Sequence, residues 1–201
     1  MAAESFSDQV ACDCCGVNES SIQVVVSRGN PSARLMLIGE APGAMENKLG
    51  QPFVGRSGKV LDQLLKEVGI NPHHDVFICN AVKCRPPKNR RPSKSELLSS
   101  LPWLNQQIKL VDPWVIALAG STAVEVVLGL KDKISHLRGV WQYWEGRMVM
   151  PLFHPSYLLR NPSRWEGSPI DLTLGDLLKV NNQLKEFQKA ISKPPSCIDK
   201  D

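Results

Sequence analysis

From residue 34 onward, short runs of consecutive apolar residues alternate with longer segments in which apolar residues recur every three or four positions. Consecutive apolar runs are typical of strands in a parallel sheet that is buried on both faces. A further run at residues 141–144 is expected to pair with the last strand as a hairpin that turns at Glu145 and Gly146. The predicted strands are residues 34–38, 76–79, 114–119 and 147–152.

The longer segments predict amphipathic helices, because the apolar residues of each segment would line one face of a helix. Gly69 is suited to end the first helix, and Ser121 is suited to cap the start of the third. The alternation of strands and helices favours an α/β fold with a mainly parallel central sheet. The predicted helices are residues 60–68, 97–108, 121–128 and 172–191.

The composition is that of one domain with a sizeable core: 201 residues, of which 42% are apolar and 22% are charged. We expect a single domain over residues 1–192 and a frayed tail over residues 193–201. The sequence does not open with a leader of the secretory kind, and no apolar run approaches the roughly 20 residues that a membrane-spanning helix needs. We therefore expect a cytoplasmic protein in a reducing compartment.

Polar residues follow three of the predicted strands, at the ends where open α/β sheets bind ligands. Glu40 follows the first strand, Asn80 the second and His154 the last. Each residue alone has an ordinary structural explanation in a loop or a turn. Three of them at equivalent ends of a parallel sheet would meet in one crevice, and this favours a functional site.

These residue types fit a planar ligand with an amide-like edge. Asparagine offers both an acceptor and a donor, and histidine can donate to an oxygen on which negative charge develops. A carboxylate can hold a water or stabilise a developing cation. Phe53, in a glycine-rich segment, offers a face for stacking on such a ring, and its alternative role is that of a core residue.

Positive charge is concentrated in one segment, although the net charge is only +4. This basic segment, residues 83–94, reads KCRPPKNRRPSK and contains no acidic residue. Such a segment is often only a solvated surface, but here it closely follows Asn80 and is placed to bind a polyanionic backbone. Arg160 and Arg164 would extend it. The ring-sized crevice and the basic segment together predict a nucleic-acid base as the ligand.

The six cysteines include three candidate metal ligands. Cys12 and Cys15 have the C-x-x-C spacing, and Cys84 lies in the basic segment. A zinc-type set would be completed by Cys79, whereas an iron–sulfur site would be completed by a residue of the following helix. Cys79 lies in a predicted buried strand, where a cysteine is more often a small core side chain. Cys197 lies in the tail and is expected to bind nothing.

Four segments carry a likeness to a known family: GEAPG at 39–43, GQPFVGRSG at 50–58, VFICNAVKCRPP at 76–87 and HPSYLLR at 154–160. They resemble family 4 uracil-DNA glycosylases, the iron–sulfur branch of that superfamily. The likeness runs in matching order over roughly residues 9 to 190. It implies a three-layer α/β/α domain that flips deoxyuridine out of DNA and hydrolyses its N-glycosidic bond, which begins base-excision repair. It also implies uracil-containing DNA as the partner, and we expect a monomer that does not associate with membranes.

The resemblance assigns a role to each residue of the predicted crevice. Glu40 would orient the water or stabilise the sugar cation, and His154 would donate to uracil O2 as the base leaves as an anion. Asn80 would read the amide edge of uracil, and Phe53 would stack on the ring. The residues expected to contact uracil are Glu40, Ala41, Pro42, Phe53, Asn80 and His154.

The resemblance also implies two surfaces for DNA, the basic segment and a loop after His154 that enters the minor groove. A further subfamily traps abasic DNA through a histidine in the basic segment. This chain has no histidine there, so we expect turnover without covalent capture. The residues expected to contact DNA are Lys83, Arg85, Arg90, Arg91, Leu158, Leu159 and Arg160.

A [4Fe-4S] cluster bound by Cys12, Cys15 and Cys84 is the implied cofactor, and its role would be to brace the basic segment. Similar sequences carry a fourth cysteine where this chain has Ser100. The serine oxygen would ligate iron, Cys14 would substitute, or the cluster would be lost. A noncatalytic nucleic-acid-binding protein on the same fold is the alternative function, and a hydrolase of free nucleosides is a third.

Overall fold

The structure, a computed structural model, describes residues 23–192, so Cys12, Cys14, Cys15 and the tail lie outside the described residues. A six-stranded sheet forms its centre, in the order β1-β3-β2-β4-β6-β5. The four central strands are parallel, and the edge strands β1 and β5 pair antiparallel to their neighbours. The strands are β1 (Arg28–Gly29), β2 (Leu35–Gly39), β3 (Val76–Asn80), β4 (Val115–Ala119), β5 (Gln142–Trp144) and β6 (Arg147–Leu152).

Helices cover both faces of this sheet. Side chains of β2 alternate between the faces, because successive residues of a strand point in opposite directions. Leu35 and Leu37 pack in the core beneath α2 and α7, whereas Met36 and Ile38 pack beneath α3 and α4. The helices are α1 (Ala44–Leu49), α2 (Arg56–Glu67), α3 (Lys94–Val111), α4 (Ser121–Leu128), α5 (Ile134–Leu137), α6 (Pro155–Arg160) and α7 (Pro169–Ser192).

The three-layer α/β/α architecture and the parallel sheet are confirmed, and so is the β5–β6 hairpin. The expected N-cap of α4 is wrong: Gly120 occupies that position, and no side chain caps the helix. The segment after His154, expected as a loop, is α6, because Pro155 fits the first turn and the His154 side chain accepts from the Ser156 backbone. No helix within residues 23–192 is long and apolar enough to span a membrane.

The order of strands reverses at β2, since the chain passes from β2 to β3 on one side and then returns to β4 on the other. Ligands bind to open α/β sheets at such a reversal, beyond the carboxyl ends of the strands. The segments that follow β2, β3, β4 and β6 all lie at this edge. It is therefore the place where the fold assembles a site.

Candidate active site at the carboxyl ends of the strands

A cavity of about 270 Å³ lies at this edge of the sheet. The structure brings together in its lining all six residues expected to contact uracil: Glu40, Ala41, Pro42, Phe53, Asn80 and His154. The sequence reasoning missed the other residues that line it, because they come from α1 and the glycine before it, the start of α2, the basic segment and α6. These are Gly43, Glu46, Ser57, Pro86, Asn89, Arg90 and Ser156.

Glu40 directly follows β2 and is held by a side chain of the helix that follows the neighbouring strand β4. The hydroxyl of Thr122, in the first turn of α4, donates a hydrogen bond to Oε2 of Glu40. Thr122 is buried, so water does not compete for this bond. The bond fixes one carboxylate oxygen and leaves Oε1 for a water or a substrate. Thr122 could have been found from the sequence in the same way as Glu40, Asn80 and His154, because it too closely follows a strand of the parallel sheet, β4.

His154 is held so that one ring nitrogen stays available as a donor. The backbone N–H of Ser156 donates to Nδ1 at 3.1 Å, and the Ser156 hydroxyl lies 2.8 Å from the same nitrogen. Because Nδ1 accepts from a backbone N–H, the ring proton belongs on Nε2. Burial lowers the pKa of His154, an effect that Glu40 opposes. At neutral pH the side chain is therefore a neutral imidazole with an Nε2–H donor.

Gly120, at the end of β4, makes room for this imidazole. Its φ is +92°, and a Cβ there would lie 3.0 Å from Cβ of His154. A side chain at position 120 would therefore be strained by its backbone conformation and would also crowd the histidine. The segment that follows β4 thus supports two predicted catalytic residues, Glu40 through Thr122 and His154 through Gly120.

Asn80 and Phe53 lie side by side over Gly39. Gly39 and Asn80 are partners in the β2–β3 register. A Cβ at Gly39 would lie 2.5 Å from Oδ1 of Asn80 and would overlap the ring of Phe53. The absence of a side chain at position 39 is therefore what allows the amide and the ring to approach each other.

Phe53 adopts a left-handed backbone conformation, with a φ of +54°. This conformation costs a residue other than glycine about 1–3 kcal/mol. Two side chains hold the segment around it: Oε1 of Glu46 accepts from the N–H groups of Val54 (3.0 Å) and Gly55 (2.8 Å), and Arg28 donates from Nε to the carbonyl of Pro52 at 2.8 Å. The Phe53 ring belongs to the core and also lines the cavity, 6.0 Å from the ring of His154.

The basic segment is less cationic at its surface than its sequence suggests. Arg90 forms two hydrogen bonds with Glu96, of 2.7 and 2.8 Å, and this guanidinium lowers the pKa of Glu96 to about 2. Arg91 pairs with Glu125 at 2.6 Å. Arg164, expected to extend the segment, forms an ion pair with Glu67.

Two of the predicted DNA contacts are not available to DNA in this structure. Lys83 is 2% exposed, and its ammonium group bonds to the carbonyl of Asn80 and to Gln107. Leu158 is 1% exposed, because α6 turns it into the core with Ile170. Arg160 is exposed on the same helix.

The described residues contain part of the predicted metal site. Cys84 is buried next to Lys83, whereas Cys12 and Cys15 lie outside the described residues. Within residues 23–192, no group of three or more His, Cys, Asp or Glu side chains is arranged to hold a metal ion. Cys79 is fully buried in the core, as expected of a core cysteine, and its thiol lies beside the ammonium group of Lys83.

Ser100, at the position where a fourth ligand is implied, is fully buried on the inner face of α3. Its Oγ is one of two buried side-chain polar atoms, among the residues that the structure describes, without a hydrogen-bond partner. A buried hydroxyl without a partner is unfavourable unless something else uses it. An oxygen ligand to a metal cluster would use it, so Ser100 fits the implied cofactor.

Comparisons with known proteins agree with the resemblance. Residues 26–185 match the uracil DNA glycosylase superfamily. The chain is 46% identical over 154 residues to the type-4 uracil-DNA glycosylase of Thermotoga maritima, over 76% of this chain and 80% of that protein. It is 36% identical over 162 residues to the type-4 uracil-DNA glycosylase of Sulfurisphaera tokodaii, covering 77% and 74% of the two chains. With that of Saccharolobus solfataricus it shares 34% identity over 196 residues, covering 94% and 85%.

Proposed function

This chain belongs to the uracil DNA glycosylase superfamily, and from that premise we propose that it is a uracil-DNA glycosylase of base-excision repair. It hydrolyses the N-glycosidic bond of deoxyuridine in DNA, releasing uracil and leaving an abasic site. The proposal rests on one observation: a single base-sized cavity is lined by Glu40, Phe53, Asn80 and His154. Because the proposed substrate is DNA, we also propose an intracellular location.

In the proposed mechanism, a deoxyuridine flipped out of the duplex places its base in the cavity. Asn80 pairs with the amide edge of uracil, and Phe53 stacks on the ring. The C1′–N1 bond breaks with its electron pair on the base, and His154 donates from Nε2–H to uracil O2, where negative charge accumulates. Glu40 stabilises the positive charge on the sugar and orients the water that adds to C1′, whose proton passes to the carboxylate.

We propose that DNA is held by the exposed cations beside the cavity. Arg85, Lys88 and Lys94 are half-buried or exposed, and Arg160 is exposed on α6. Arg90 and Arg91 add to this surface when phosphates replace their carboxylate partners. This exchange is feasible because exposed ion pairs contribute only about 0–1 kcal/mol. Leu159, half-buried on α6, stays a proposed minor-groove contact, whereas Lys83 and Leu158 are excluded by their burial.

A single-turnover assay with a uracil-containing oligonucleotide tests the proposed function. We expect an abasic product from both U·G and single-stranded substrates, and a matched oligonucleotide with thymine should remain intact. Binding without cleavage by the folded protein would contradict the proposal and favour the noncatalytic alternative. Release of uracil from free deoxyuridine would instead favour the nucleoside hydrolase.

We propose that Cys12, Cys15, Cys84 and Ser100 hold a [4Fe-4S] cluster, with Ser100 as an oxygen ligand. The cluster would supply a structural brace between the basic segment and α3. The proposal is supported by the type-4 relatives and by the buried, unpartnered hydroxyl of Ser100.

Replacing Ser100 with cysteine should increase the iron bound per chain, because thiolate is the ligand that iron–sulfur clusters prefer. Ser100→Ala should bind less iron than the wild type. Iron and sulfide analysis after anaerobic purification, with the visible absorbance spectrum, measures both effects. The control is Ser99→Cys, on the exposed side of the same helix. Equal iron content in all variants would remove Ser100 from the ligand set.

A further inference from the structure

Lys83 is a buried lysine that the proposed mechanism does not use. Its side chain lies between the end of β3 and α3, where its Nζ donates to the backbone carbonyl of Asn80 at 2.6 Å and to Oε1 of Gln107 at 2.5 Å. Lysine is almost never fully buried without partners that compensate its desolvation. One of the partners here belongs to the residue proposed to read uracil.

The groups around Lys83 are themselves held by further hydrogen bonds, so Lys83 has a fixed position. Gln107, also buried, donates from Nε2 to the carbonyl of Val26 at 3.2 Å. The backbone carbonyl of Lys83 accepts from the N–H of Val25 at 2.8 Å. The backbone of Lys83 is thus held by Val25, and its ammonium group is held by Gln107 of α3.

The backbone carbonyl of Asn80 needs a partner from outside the sheet, because on its β1 side β3 has no neighbouring strand at Asn80. β1 pairs with β3 only at Phe77 and Ile78. On the other side, the chain after Asn80 is tied to β2, since Ala81 N–H donates to Gly39 at 2.9 Å. A buried carbonyl without a partner costs about 1–3 kcal/mol, and Lys83 supplies that partner.

We infer that Lys83 is a positioning residue that fixes the direction of the Asn80 side chain; this inference rests on the proposed function. A bond to the Asn80 carbonyl fixes the peptide plane between Asn80 and Ala81, and hence the backbone angle ψ of Asn80. The backbone conformation limits the side-chain rotamers of a residue. Lys83 therefore acts on uracil recognition through Asn80 and does not touch the substrate or the DNA.

The test is a double-mutant cycle between Lys83→Met and Asn80→Ala, measured as the single-turnover rate of uracil release. Methionine keeps the unbranched shape of lysine and removes the donor. In the wild-type background we expect Lys83→Met to lower the rate about tenfold, the effect of losing the bond to the Asn80 carbonyl; the bond to Gln107 is lost as well. In the Asn80→Ala background the same change should lower the rate less than about twofold, because the group that it positions is gone.

Lys109→Met is the matched control, since Lys109 is exposed near the end of α3 that is remote from the cavity. It should leave the rate in both backgrounds unchanged. Equal losses from Lys83→Met in the two backgrounds would overturn the inference, because they would show a general structural effect. An inactive wild type would instead overturn the proposed function.

Two further measurements complete this test. Iron content is compared in all variants, because Lys83 precedes the proposed ligand Cys84. If Lys83→Met does not fold, Gln107→Leu removes one of the two acceptors and leaves the Asn80 bond in place. The inference then requires a loss of less than about tenfold for Gln107→Leu, because one anchor of the Lys83 ammonium is gone, and this loss must be confined to the background that retains Asn80. A loss of the same size in the Asn80→Ala background would contradict it.

Discussion

We expect the His154→Ala variant to release uracil about 10²–10³ times more slowly than the wild type, with DNA binding nearly unchanged. His154 acts where charge develops, because it lines the cavity with its proton on Nε2, and the bond from Nε2–H to uracil O2 strengthens as the base becomes an anion. An interaction that strengthens only in the transition state lowers the rate and not the affinity when it is removed.

The measurement pairs single-turnover rates with DNA affinity from fluorescence anisotropy, on one preparation of each variant. His136→Ala is the control, because His136 is exposed on α5. A loss of affinity as large as the loss of rate would assign His154 a structural role.

The pH dependence separates a neutral from a charged donor at His154. Burial holds the pKa of His154 below its ordinary value of 6.5, so the imidazole is neutral at pH 7 and stays neutral as the pH rises. The contribution of His154, the ratio of wild-type to His154→Ala rates, should therefore be constant above about pH 7. A ratio that falls as the pH rises through this range would show that the charged imidazolium is the donor.

The strands and the three residues that follow them were predictable because both depend on local patterns. A strand buried on both faces requires a continuous apolar run, and the parallel sheet then forces Glu40, Asn80 and His154 to one edge. No long-range contact had to be known for that conclusion. The same reasoning applied to β4 would have reached Thr122.

The errors arose where a contact distant in sequence decides the outcome. Lys83 lies in a run of cationic residues. Its burial depends on a contact with Gln107, 24 residues away, which the sequence does not reveal. Arg91 stays a proposed DNA contact, but its ion pair was equally hidden from the sequence, because its partner Glu125 lies on α4. Leu158 was assigned to a loop, whereas the capping of α6 by His154 makes a short helix that turns this leucine inward. The pattern of charge and hydrophobicity along the chain does not show which distant residues contact each other.

Glu40→Gln should lower the rate of uracil release by about 10²–10⁴-fold, because glutamine keeps the size of the side chain and loses its charge. The amide oxygen of glutamine can still accept from the Thr122 hydroxyl, so the position of the side chain is retained. What is lost is the negative charge beside the sugar and the acceptor for the proton of water.

Thr122→Val tests how much the position of the Glu40 side chain contributes to the rate while its charge is kept. Valine has nearly the shape of threonine and cannot donate, so the carboxylate keeps its charge and loses one anchor. We expect a loss of about tenfold, the effect of one hydrogen bond. The control is Ser121→Ala, since Ser121 is exposed and caps no helix. Combined with Glu40→Gln, Thr122→Val should add little further loss, because the two residues act as one unit. A Glu40→Gln rate within tenfold of the wild type would show that the charge of Glu40 is not what drives bond cleavage.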